Sequence, residues 1–245
     1  MDRFRFQFHT IRMATQEISK RDIGSDVFIC PDKGEEHRFP VLFESDKFKI
    51  KLGKGALTAG YLMLVPKREV SSFAELDPTE MQEFQKILPK VNKIFHDTYG
   101  QVPTIWENGS AYENAGGIFA NSIDHAHLHI LPVAPTGQMV DKINRDRNLQ
   151  SIDIFSPEFE KFKDNYYLLF GDPKGDMFIS QTKDPERQYV RKLFAHVLQT
   201  PNAWNWREFA NDENVQLGKQ QLTEAFAKLQ KAFELAKGKE LERLG

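Results

Sequence analysis

The sequence predicts an α+β fold: an antiparallel sheet with a helix packed against it, followed by a C-terminal α/β extension. Three observations predict it. Short apolar runs bounded by Gly, Pro or polar turns occupy much of the first 135 residues, one long stretch at 78–99 carries helical spacing, and a second hairpin-and-helix pattern follows residue 146. The order of strands, strand, helix, strand, strand suits an antiparallel sheet covered by a helix. The chain divides accordingly into a lead-in at 1–25, a domain at 26–145 and an extension with hairpin and helices at 146–245, which its 245 residues are long enough to fill.

Residues 39–50 read as two strands around a polar turn at Glu44, Ser45 and Asp46. Residues 60–66 are a compact apolar run flanked by Gly60 and Pro66, which favours a buried strand over a helix. Over 78–99, Met81, Phe84, Ile87, Leu88, Val91, Ile94 and Phe95 recur at three- and four-residue steps and form one apolar face. Asp77 stands at the N-cap, Pro78 at the first helical position and Gly100 at the C-terminal stop; Pro89 interrupts the pattern as a candidate bend. A short strand at 103–107, a Gly/Asn-rich loop at 108–121 and a strand at 123–133 follow, and 135–137 closes the unit. In the extension, 166–170 and 177–181 pair as a hairpin across 171–175, and helices are expected at 185–198 and 219–243; the extension is either a subdomain or a continuation of the first sheet.

Composition narrows the function. A formal charge of -2 and a pI near 6.4 supply no global basic field, so a nucleic acid is not expected as partner and a small molecule is the default. Cys30 is the single cysteine and cannot form an internal disulfide. The N-terminus lacks the apolar core of a signal peptide, and no stretch approaches the roughly 18 apolar residues of a membrane span. The expectation is a cytoplasmic protein with no membrane association.

The chemistry concentrates in one pentapeptide, in which His125, His127 and His129 alternate with Ala126 and Leu128. In a half-buried strand this alternation lines the imidazoles on one face, with neighbours roughly 6.5–7 Å apart, while Ala126, Leu128 and Ile130 enter the core. Three uses are open: a packed histidine face, a metal site, or nucleophilic catalysis. A metal site wants a further ligand, and Asp124 points away from the histidine face while His9, His37, His96 and His196 are scattered. Neutral imidazole attacks phosphorus well, its phosphoramidate hydrolyses readily, and neighbouring histidines can set its tautomer and move protons, so no metal is required in principle.

Residues 125–131, His-Ala-His-Leu-His-Ile-Leu, match at all seven positions the signature of the histidine-triad (HIT) family, His-x-His-x-His-x-x with apolar residues at each x. Residues 106–110 resemble the family's Asn/Gln-Gly turn, 120–125 its Gly-Gln-Ser/Thr-Val-x-His segment, and 60–68 its Gly-His strand ending in Pro-Lys-Arg, so the resemblance covers about residues 28–135. It implies a HIT-like fold for 26–145 and an enzyme: a nucleotide hydrolase that attacks the α-phosphate of a dinucleoside polyphosphate or nucleoside phosphoramidate through a nucleotidyl-histidine intermediate and releases NMP. A nucleotidylyltransferase and a non-catalytic nucleotide-binding module are the alternatives. The resemblance makes His127 the nucleophile and His125 and His129 its assistants, with Asn108, Asn121 and Ser122 contacting the substrate. No cofactor is required, Mg²⁺ can accompany the substrate phosphates, and a homodimer is an option, since small members pair through the helix and a sheet edge.

The sequence departs from the pattern at Tyr61 and Glu69, which stand where histidines are common, at Asn121, which is shorter than the usual glutamine, and in the loop 110–119, which is longer than in the smallest members. Because the position of Tyr61 often supports a triad histidine, that support is expected to come differently. Other features have competing uses. Lys67 and Arg68 suit either phosphate or solvent. The glycine- and lysine-containing segment 51–60 does not match a phosphate loop and reads as a turn. Phe43 and Phe48 can sandwich a base but suit the core better. Trp204 and Trp206 read as packing anchors, and Cys30 as a semi-buried thiol.

Overall fold

A computed structural model describes residues 40–110, 125–172, 174–182, 186, 188–206, 208–209 and 211–244, with 240–244 as backbone only. The lead-in, Cys30, Asn121, Ser122 and the loop after Ser110 lie outside these residues.

The fold is α+β, and its strands form one antiparallel sheet. β1 (Val41–Glu44) and β2 (Phe48–Leu52) are the expected hairpin, and β2 pairs with β3 (Leu62–Pro66). β3 pairs with β5 (Leu128–Leu131), β5 with β4 (Thr104–Gly109), and β4 with β7 (Tyr167–Gly171). β8 (Met177–Gln181) and the two-residue β6 (Gln150–Ser151) complete the order β1-β2-β3-β5-β4-β7-β8-β6. β7 pairs with β4 from Ile105↔Gly171 to Gly109↔Tyr167, so the extension continues the first sheet.

The helix α1 (Pro78–Tyr99) has the predicted limits because its ends are chemically closed. The Asp77 carboxylate accepts from Thr79 N (2.7 Å) and Glu80 N (2.9 Å), and Glu80 returns the bond by accepting from Asp77 N (2.8 Å). Gly100, at φ 74°, closes the other end with its N–H on the His96 carbonyl. Pro89 lies on the exposed side, and the helix runs through it. Asp77→Ala is expected to lower stability by about 0.5–2 kcal/mol, read as a shift in urea midpoint at unchanged slope.

Helices cover both faces of the sheet. Strand register places Phe48, Ile50, Leu64, Leu128, Ile130 and Ile105 on one face, where Phe48 meets Phe84 of α1 at 6.1 Å between ring centroids. The long α5 (Asp212–Leu244), which begins ahead of its expected start at 219, packs beside α1 and sets Phe233 edge-on against Phe43. The opposite face carries Tyr61, Trp106 and His129, and α4 (Tyr189–Val197) covers it through Phe194, whose ring stacks 5.5 Å from Trp106. Two helices were not expected from the sequence. α2 (Gly137–Arg147) is mostly polar and buries only Met139 and Ile143, while α3 (Pro157–Glu160) is a single turn.

The expected strand at 123–133 is shorter than its alternation suggested. Only Leu128–Leu131 joins the ladder, and of the three histidines only His129 is in it. All four strand residues are buried, because α4 closes the face that the alternation pattern left open.

Candidate active site around the histidine strand

His127 and His129 meet edge to face with ring centroids 4.6 Å apart, closer than an extended strand would hold them, and His127 lies just ahead of β5, outside the ladder. His125 and His129 are buried, and His127 is partly exposed. Each ring has a defined partner. His125 Nε2 donates to the Pro66 carbonyl at 2.8 Å. His127 Nδ1 lies 2.8 Å from the His125 carbonyl, an acceptor only, so Nδ1 carries the proton and the neutral ring keeps its lone pair on Nε2. His129 Nδ1 lies 2.5 Å from the Tyr61 hydroxyl. The support that a histidine commonly supplies at position 61 therefore comes from the same place in the fold, through a phenol.

The wall behind the triad is aromatic. Trp106, directly across the ladder from His129, stacks on it at 4.6 Å and 19°, with Tyr61 at 6.2 Å and Phe194 at 5.5 Å from the indole. Gly53 makes room for Tyr61, since a Cβ there would stand 2.4 Å from the ring. This desolvated setting sets the charge of the site. Burial pushes His127 down to about 4, aided by the charges of His125 and Arg191 and opposed by the bond to the His125 carbonyl. Burial also pushes His125 down, and His129 well down. All three rings are thus neutral at pH 7.

Asn108 lies within β4 and not in the loop where the sequence placed it. Register puts it on the face of Trp106, across from Leu168, and partly exposed. Asn108 and His129 therefore lie on the same side of the sheet. Asn121 and Ser122 lie outside the described residues.

The competing readings of other residues resolve toward structure. Arg68 forks onto Glu80 at 2.9 and 2.6 Å, and Lys67 meets Glu44 at 2.6 Å, so both cations are committed to carboxylates. Phe43 and Phe48 are core residues. The 51–60 segment cradles Tyr61 and Arg191. Lys192 and Lys54 lie over Trp204 and Trp206 at 5.1 and 5.9 Å. Among the described residues no cluster of three or more His, Cys, Asp or Glu is arranged to hold a metal ion, and no helix is long and apolar enough to cross a membrane.

The family model of the HIT domain matches residues 35–136. Over these residues the chain is similar to a HIT domain. The match spans β1 through β5, including the triad, and leaves α2 through α5 and the strands β6–β8 beyond the HIT domain. No curated protein matches the chain in sequence. Among solved structures, the chain is similar to a hypothetical histidine triad nucleotide-binding protein from Sulfolobus tokodaii strain 7, at 17% identity over 76% of this chain and 89% of that one, with a TM-score of 0.32. It is similar also to a zinc-bound histidine triad family protein from Mycobacterium smegmatis (16%, 41% and 70%, 0.32) and to a HIT family hydrolase from Clostridium thermocellum (16%, 40% and 83%, 0.30).

Sequence reasoning missed Glu107, the buried neighbour of Trp106 on the other face. It accepts from Phe73 N at 2.8 Å and from the Tyr167 hydroxyl at 2.6 Å. Burial pushes its carboxyl up to about 8, with Glu75 adding and both hydrogen bonds opposing. The folded protein therefore holds a proton on Glu107 that the unfolded chain releases near 4.5. The stability this contributes is full below about 4.5 and is lost as pH rises toward about 8. Glu107→Gln cannot ionise, so its unfolding free energy in urea should fall less than that of the native protein between those two pH values. Equal slopes would refute the assignment.

Proposed function

We propose that the HIT domain of this chain is a nucleotide hydrolase in which His127 attacks the α-phosphate of a dinucleoside polyphosphate or nucleoside phosphoramidate. One observation carries the reading: His127, partly exposed, is fixed through Nδ1 on the His125 carbonyl, which leaves Nε2 as the nucleophilic atom, and burial pushes the ring's pKa down to about 4, which favours the neutral form. In-line attack forms the Nε2–phosphorus bond and breaks the bond to the leaving group, which takes up a proton from solvent that the attacking water of the second step returns. Water then attacks phosphorus, the Nε2–phosphorus bond breaks, and NMP leaves with neutral His127 restored. His129 and His125 position His127 and stabilise charge. Asn108, Asn121 and Ser122 are assigned to the substrate, the last two to the phosphate oxygens. The cycle asks for no cofactor, and Mg²⁺ would enter only on the substrate phosphates.

The test is turnover of purified protein with diadenosine polyphosphates, adenosine phosphoramidate, dinucleotide caps and a sugar nucleotide, read by mass spectrometry. NMP release with a nucleotidyl adduct trapped on His127 is the expected result. A product formed only with an acceptor present would make the protein a nucleotidylyltransferase, and binding without turnover would make it a binding module.

A further inference from the structure

Arg191, on α4 and outside the HIT domain match, is 2% exposed. Its Nε donates to the Trp204 carbonyl at 3.1 Å, and one terminal nitrogen to the carbonyls of Gly55 and Ala203, each at 2.8 Å. Its Cζ lies 5.3 Å from the centre of the Tyr61 ring. Among the described residues no carboxylate pairs with it. Burying a cation is costly, and these partners are carbonyl dipoles and a π face, which solvate the charge without cancelling it. Gly55, at φ +62°, offers its carbonyl from a backbone region that favours glycine, and a Cβ there would stand 2.7 Å from Cβ of Trp206.

We propose that the C-terminal extension completes the triad site, with Arg191 as a positioning residue that orients the Tyr61 hydroxyl onto His129 and keeps a permanent positive charge behind the histidines. The guanidinium also acts on the Tyr61 hydroxyl as a hydrogen-bond donor, and because guanidinium only donates, the hydroxyl turns its proton away. The partner in that direction is His129 Nδ1, at 2.5 Å. With Nδ1 accepting, the proton of neutral His129 resides on Nε2, where it serves as a donor toward a phosphate or a departing group. The charge of Arg191 also acts on His127 and His129 in the direction that keeps both neutral. Among the described residues, the groups facing Arg191 and Tyr61 are Trp106 of β4 and His127 and His129 at β5, none of them an acid. The mechanistic role rests on the hydrolase reading; the geometry does not.

The unmodified protein gives the first test. Long-range proton–nitrogen NMR should show His129 protonated on Nε2 and bare on Nδ1, and the opposite tautomer would overturn the proposal. Arg191→Gln, which keeps amide donors for the carbonyls, removes the charge, and Arg191→Lys keeps it. The Gln variant should lose about 10–100-fold in kcat with KM changed less than about threefold, since the residue reaches the reaction through Tyr61 and through its charge on the histidines. Its His127 and His129 titrations should move up, since the charge of Arg191 is removed while burial remains, whereas the Lys variant stays nearer the native protein on both measures. A folded Gln variant with native kcat and native titrations would overturn the proposal, as would equal losses of kcat and melting temperature in both variants. A native protein that turns over no nucleotide would sink the hydrolase reading alone, because the NMR measurements need no substrate.

Discussion

His127→Ala is expected to leave a folded protein whose turnover falls by about 10³-fold or more, the scale on which enzymes lose rate when a nucleophile is removed. The fold should survive because His127 is partly exposed and, among the described residues, its side-chain hydrogen bond is local, from Nδ1 to the His125 carbonyl. Losing a bond of that kind costs about 0.5–1.5 kcal/mol. The measurement pairs single-turnover kinetics on adenosine phosphoramidate with a thermal melt. Native-like turnover in a folded variant would remove His127 from the chemistry. The pH profile adds a second mark. With His127 pushed down to about 4, the nucleophile stays unprotonated well below the usual imidazole range. The acid limb of kcat/KM should therefore fall near 4 rather than near 6.5.

The histidine cluster was legible in the sequence because its signal is local and chemical. Three imidazoles in strict alternation need no knowledge of what packs against them. The α1 limits were legible for the same reason, as Asp77, Pro78, Glu80 and Gly100 close the helix with contacts three or four residues long. What the sequence concealed is long-range. Alternation in 123–133 is what a half-open sheet face requires, but α4 arrives from about sixty residues later and buries His129. Arg191 looks in sequence like any arginine on a surface helix, and only the carbonyls of Gly55, Ala203 and Trp204 give it a buried place. At Tyr61 the sequence predicts that support for a triad histidine comes differently, and residue type without geometry does not say from where. The phenol reaches the same imidazole, and Gly53 is the small residue that admits it. α2 went unread since two buried side chains in eleven residues leave almost no periodic signal.

Trp106→Ala joins these threads, because this side chain belongs to the core and to the site at once. It is 1% exposed and touches Tyr61, His129 and Phe194 by ring stacking. Truncation removes apolar surface and leaves a void between β4 and α4, which places the expected loss at about 3–5 kcal/mol. Such a loss is a large fraction of a typical domain's stability and should appear as a fall of the urea midpoint. Activity should fall even where the variant remains folded, since His129 then loses the ring that holds its plane. Trp106→Phe keeps a stacking partner of smaller area and should recover most of both quantities. If Trp106→Ala weakened only stability, with kcat unchanged in the folded fraction, His129 would be held by Tyr61 alone. The aromatic wall would then serve the core but not the chemistry. If both fall together and Phe rescues both, the packing between sheet and α4 is itself what orients the triad, and the C-terminal extension is inseparable from the site it covers.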